Sequence, residues 1–456
     1  MTKTLHQEAA GAPPVPPVRT AGAKAVTVTG WLLVGTLLAL HFAVYLPDSR
    51  SYPFSDEWNY LPSLGMGVRD FLDWLFQQHV DHRIPIQKLL HIALLRTTGF
   101  DFRVPIAFNL FVAAAMAIFL MRLARQYRGR PLLGDLFIPL CILNPATGHA
   151  QWGFEFQFLS SIFFVTAFLL FVGEFARSHR TIYTRLAVAA LFLAAWSGMN
   201  GVILSAILSL GVLAYGVVDR RRIDRTTLLM AGVTLAVDAA LVYFWSASPA
   251  SLSESATPAA LWRFVQGMVN APLIVYAFTA RNVKFALFAA LIVGAAVLGS
   301  RRLLRTRPMD PVTAALLAVL VATLVLVAAV ASGRARGDGW SPGLEMHYGV
   351  LVMILPATAW LLVSANLPKR PAAVLGVVLL VLFTAAYRAN HNWRVASLAD
   401  ARAANLAARD AIAGDAAADV VAARHIDRYY FIDNAEARSY VTEGIVTLRE
   451  LQRPRR

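Results

Sequence analysis

Eleven apolar runs govern what this chain can fold into. They lie at about 25–46, 103–121, 131–146, 154–174, 182–198, 200–218, 226–245, 282–300, 311–331, 347–364 and 371–387, and they carry almost no charge. Each has roughly the length a helix needs to cross a hydrocarbon core of about 30 Å. Inside lipid every backbone N–H and C=O must be satisfied without water, which favours helices for such runs. The expectation is an all-α polytopic membrane protein with about 11 transmembrane helices. Only 15% of the 456 residues are charged against 57% hydrophobic, too little charge to clothe a soluble surface.

The charges that remain are placed with a bias. The net charge is +15, and much of the arginine falls in clusters between apolar runs, such as "RLARQYRGR", "DRRRIDR" and "RRLLRTR". No basic stretch is interleaved with base-stacking aromatics, so no nucleic-acid partner is expected. Loops rich in Lys and Arg stay in the cytoplasm. With the N-terminus inside, the inner loops 122–130, 175–181, 219–225, 301–310 and 365–370 all carry Lys or Arg, and the outer turns 147–153 and 198–200 carry none. This reading sets the chain in the cytoplasmic membrane with its C-terminus extracytoplasmic. Trp152, Trp196, Trp245, Trp340 and Trp393 then fall near the outer boundary, as an interfacial aromatic belt would.

Three regions follow. Residues 1–24, rich in Pro and Ala, are expected to form a disordered cytoplasmic N-terminus. Residues 25–387 form the transmembrane domain, with a first outer loop at 47–102, and 388–456 form a small extracytoplasmic C-terminal segment. The first run is too long for a signal-peptide core and no small-residue cleavage site follows it, so it reads as a retained span. "IPIQKLLHIALLRTTG" (84–99) is too short to span and contains Lys88, His91 and Arg96. It is expected to be an interfacial helix begun by Pro85, with Gln87, Lys88 and His91 on one face and Leu89, Ile92 and Ala93 on the other. The single cysteine, Cys141, is expected to be a small buried residue.

Groups able to do chemistry gather on the outer side. "FSDEWNY" (54–60) holds two adjacent acids, Asp56 and Glu57. They can complement a helix start capped by Ser55, and the same mount can present a general base. "QQHVDHRIP" (77–85) offers His79, Asp81 and His82 as polar contacts, and Arg83 as a phosphate holder through paired hydrogen bonds. A divalent metal is the candidate cofactor, with Asp56, Glu57, His79 and His82 as its candidate ligands, although a close HxDH run has no defined site geometry. "GHAQWGFEFQF" (148–158) puts Glu155 and Gln157 at the mouth of a span. The Gly/Pro-broken loop 331–349 adds Arg334, Arg336, His347 and Tyr348. Asp238, alone in an apolar run, is expected to face the bundle interior.

The arrangement resembles the GT-C superfamily of integral-membrane glycosyltransferases, which includes protein O-mannosyltransferases and lipid A aminoarabinose transferases. The resemblance rests on the acidic pair Asp56-Glu57 opening the first outer loop, the proline-started segment "HRIPIQKLLHIALLRTTGF", the Arg-Pro start of the second span in "DFRVP", and the many spans that follow. It is specific over about residues 25–125 and architectural beyond. Relatives often show two prolines where this chain has Arg83-Ile84-Pro85. The resemblance implies an inverting glycosyltransferase working on the outer face, with a polyprenyl-phosphate-linked sugar as donor and membrane lipid around it. Asp56 would be the base and Glu57 its helper. His79, Asp81, His82, Arg83, Lys88, Glu155, Gln157, Arg334, Arg336, His347 and Tyr348 would bind substrate. A transporter of lipid-linked sugars and a non-catalytic partner in envelope assembly are the rival readings.

Overall fold

The computed structural model describes residues 21–219, 222–246, 257–273, 281–306, 308–335, 343 and 346–452, and these are helical with no β-sheet. The first half contains α1 (Ala21–Leu40), α2 (Tyr60–Ser63), α3 (Val68–Phe76), α4 (Pro85–Thr97), α5 (Arg103–Arg128), α6 (Phe137–Ile142), α7 (Phe156–Ser178), α8 (Ile182–Ala195) and α9 (Met199–Val218). The second contains α10 (Arg225–Tyr243), α11 (Pro258–Asn270), α12 (Arg281–Arg305), α13 (Pro311–Arg334), α14 (Met346–Val352), α15 (Ile354–Asn366), α16 (Lys369–Ala413), α17 (Ala418–Tyr429) and α18 (Ala435–Gln452). Among the described residues nine helical segments are long and apolar enough to cross a membrane. The chain is a polytopic helical membrane protein.

Two of the eleven expected spans are shorter than expected. The run at 131–146 yields a helix only at Leu133–Ile142, and the run at 182–198 yields Ile182–Ala195. The first stops because Asn144 precedes Pro145, which disfavours helical geometry at the residue before it. The second stops at Gly198, whose φ is +100°. Beyond Ile142 the chain continues without a long helix. Gly134 lies so close to Gly376 of α16 that a Cβ there would come within 2.6 Å of its Cα. Farther along, Asn390 donates to Asn144 and Arg394 to Gln151. From Gly376 to Arg394 is about 27 Å of helix at 1.5 Å per residue. Residues 143–155 are buried in protein throughout, the condition under which irregular backbone is tolerated at membrane depth.

α16 has 45 residues, about 67 Å at 1.5 Å per residue, twice the thickness of a hydrocarbon core. The boundary expected at 387 therefore falls inside one continuous helix. α17 and α18 pack against each other and against α16, and the first long loop packs on them. A second hydrophobic core results, separate from that of the bundle, in which Trp58, Leu61 and Leu95 meet Ala408, Tyr429, Val441 and Ile445.

α4 starts at Pro85 as expected, but its polar face turns inward. Gln87, Lys88 and His91 are buried, and Leu89 is exposed. Ile92, expected on the outward face, is buried with them. Carbonyls explain the inversion: Lys88 donates to Trp74 and Gln77 at the end of α3, and Gln87 to Phe154.

Candidate functional site

The acidic pair separates. Residues 55–59 form a 3₁₀ turn in which Phe54, not Ser55, takes the cap position. The Phe54 N–H donates to Glu57 Oε2 at 3.0 Å, and the Glu57 N–H donates to the Phe54 carbonyl at 3.1 Å. Glu57 is 3% exposed, and burial pushes its carboxyl up to about 8. Asp56 points the other way, into a cavity of about 580 Å³.

"HVDH" disperses in the same manner. His79 and His82 exchange backbone hydrogen bonds at 2.7 and 2.8 Å, closing a two-residue loop over Val80 and Asp81. Each polar side chain then leaves in its own direction. His79 Nε2 lies 3.5 Å from Asp56 Oδ1, and its Nδ1 lies 3.2 Å from the amide of Asn59. Asp81 Oδ2 pairs with Arg334 at 2.7 Å, at the last residue of α13. His82 Nδ1 accepts the N–H of Met199, an otherwise unpaired donor at the start of α9. Burial lowers the His82 imidazole to about 4, so it is neutral. Among the described residues no three His, Cys, Asp or Glu side chains converge as metal ligands would. Glu57 faces away and His82 faces α9, so the four candidate ligands do not form a metal-binding set.

Asp56, His79, Asp81, His82, Gln157, Arg334, His347 and Tyr348 all line the one cavity. Arg83, Lys88 and Glu155 do not line it. Arg83 gives both terminal nitrogens to the Phe244 carbonyl, at 3.0 and 2.9 Å, and so ties the loop to the end of α10. Lys88 holds the end of α3 and lies over the Trp74 ring, and burial lowers its ammonium to about 8. Glu155 is fully buried against Gly148, with no hydrogen-bond partner for either oxygen among the described residues. Arg336 lies outside the described residues. Asp238 faces α9, as expected, and accepts from Ser205 at 3.0 Å.

Several cavity residues were not among the candidate site residues. Trp152 is not part of an interfacial belt; it is buried in the cavity wall. Trp245 lines the cavity too and donates to the Asp81 carbonyl at 3.0 Å. Asn200 and Phe431 complete the polar and aromatic lining, and Met199, Ile203, Ala329 and Val330 form an apolar strip from α9 and α13. The backbone is strained where it meets the cavity. Ser55 has φ +51° and Val80 φ +49°, a conformation costing about 1–3 kcal/mol at a non-glycine residue and typically kept at working sites. Two strained residues thus flank Asp56 and His79.

The fold and the site together define a polytopic helical membrane protein with an acid-bearing cavity at one end of its bundle. Comparison with family models, with curated proteins and with solved structures gave no match in any of the three.

Proposed function

We propose that this protein is an inverting glycosyltransferase of the GT-C type, taking a sugar from a polyprenyl-phosphate donor to an acceptor at the outer face of the cytoplasmic membrane. One observation carries the reading: Asp56 and Arg334, from the first loop and the end of α13, line a single cavity. Such a cavity can hold an acceptor hydroxyl and a departing phosphate together. The acceptor oxygen attacks the anomeric carbon, the bond from that carbon to the phosphate oxygen breaks, and the hydroxyl proton passes to Asp56. Negative charge grows on the polyprenyl phosphate, and among the described residues Arg334 is the cation lining the cavity that can meet it. Asp81 pre-orients that guanidinium. The apolar strip on α9 and α13 offers the prenyl chain a path toward lipid.

The orientation follows from the loop charges, with the cavity end and C-terminus extracytoplasmic. Eleven crossings fit this orientation if 133–152 and 182–198 each traverse the bilayer, the former beside α16.

Binding of polyprenyl phosphate, the moiety common to every such donor, tests the assignment. Arg334→Lys keeps charge but loses the two-pronged fork, so affinity should fall roughly tenfold, about 1.4 kcal/mol. Arg83→Lys should leave it unchanged, since Arg83 serves the Phe244 carbonyl. Equal affinity in wild type and Arg334→Lys would remove the phosphate role.

A further inference from the structure

The cavity has an aromatic wall that the transfer chemistry does not use. Phe431, in the loop between α17 and α18, lines the cavity while 61% of its surface stays open. Its ring is nearly perpendicular to those of Phe54 and Trp152, with centroids 4.5 and 5.7 Å away. Trp152 stacks on Phe154 at 5.2 Å, and Phe154 lies 5.3 Å from His79, the neighbour of Asp56. Rings therefore run without interruption from the open edge of the cavity to the proposed base.

Two buried polar side chains share that lining, each with one atom that finds no partner among the described residues. Gln157 is 4% exposed with Oε1 unbonded, and Asn200 is 5% exposed with Nδ2 unbonded. One is an acceptor and the other a donor. Leaving either buried without a partner is costly, which points to a ligand that supplies both functions. A hydroxyl does so. The lining thus combines aromatic faces, which attract partly positive C–H groups, with unfilled hydroxyl partners. A pyranose ring has that complementary form, with C–H groups on its faces and hydroxyls around its rim. A lipid chain would leave Gln157 and Asn200 unsatisfied.

We infer that Phe431, Trp152 and Phe154, with Gln157 and Asn200, form a subsite for a saccharide acceptor. This rests on the glycosyltransferase reading and gives it an acceptor class: a sugar hydroxyl rather than a protein side chain or a lipid headgroup. The C-terminal helices then supply part of the binding site through Phe431.

Saturation-transfer NMR on the purified protein in lipid nanodiscs reads this contact without turnover. The probes are the methyl glycosides of glucose, galactose, mannose and N-acetylglucosamine. At least one should show saturation concentrated on its ring C–H protons. The signal should fall several-fold in Phe431→Ala and survive in Phe431→Trp. Phe431 is exposed, so its replacement leaves the core intact, and the Trp variant controls for folding. Saturation of no probe, or equal signals in wild type and Phe431→Ala, would overturn the subsite. So would a Phe431→Ala variant that keeps its sugar signals and loses contact with lipid protons, which would assign the ring to the membrane surface. Sugar binding without any transfer from polyprenyl donors would instead leave the subsite standing and remove the transfer reading.

Discussion

Asp56 and Glu57 are neighbours in sequence with opposite surroundings, and the difference lies in one turn of backbone. Glu57 closes the 3₁₀ turn and is buried at 3% exposure, while Asp56 faces the cavity. The Glu57 carboxyl, raised by burial to about 8, is an ordinary carboxyl in the unfolded chain. Its neutral form is favoured on folding, so the stability tied to it is complete below the unfolded pKa and is lost as pH rises through about 8. Thermal stability should decline between about pH 4.5 and 8 in the wild type and level off above that. Glu57→Gln, which can still accept from Phe54, should flatten that slope. An identical pH slope in both proteins would contradict the assignment. The sequence already distinguished the outer-side residues by type: Asp56, His79, Asp81, His82, Gln157 and Arg334 were candidates from chemistry and loop position. It could not separate Arg83 from Arg334. One guanidinium meets a helix-end carbonyl and the other a cavity, and only tertiary packing decides which.

Elements were legible where a local property defines them. Among the described residues nine of the eleven apolar runs form helices of membrane-spanning length and the other two form shorter helices, because apolar length and backbone satisfaction favour that outcome locally. The break after Ile142 and the length of α16 were less legible. Hydropathy falls after residue 387, but the following "RANHNWRVASLADARAANLAARDAIA" is rich in Ala and other helix formers, so the helix outlasts the span. What α17 and α18 pack against depends on contacts between distant segments. Trp58 Nε1 donates to the Tyr429 carbonyl at 3.1 Å, and a Cβ on Gly444 of α18 would come within 2.3 Å of the Trp58 ring. Gly444→Val should force α18 away from the turn that carries Asp56. The cost is expected at about 1–3 kcal/mol. Faster proteolysis between α17 and α18, with a fall in any activity that depends on Asp56, would register it. Unchanged protease resistance would mean that the contact is not tight.

At the scale of the whole molecule the two ends of the bundle differ in chemistry. One end holds the cavity, with its strained loop, imidazoles and aromatic wall. The other ties helix ends together with ion pairs: Arg128 to Asp135, Arg302 to Asp310, and Arg122 and Arg177 to Glu174. Loop charge made this polarity readable from sequence. The cavity itself was not, because α7, α9, α13 and α14 each contribute only a few residues to its walls and no local pattern marks them. The account stands or falls on whether that cavity transfers sugar with Asp56 as base. The direct measurement is release of polyprenyl phosphate from a panel of polyprenyl-phosphate monosaccharides. It would use the protein reconstituted in vesicles with a glycan acceptor, comparing wild type with Asp56→Asn at matched amounts of folded protein. The account predicts release by the wild type with at least one donor, and a fall of roughly two to four orders of magnitude in Asp56→Asn. Equal release by the two proteins, or none by the wild type with any donor, would contradict it.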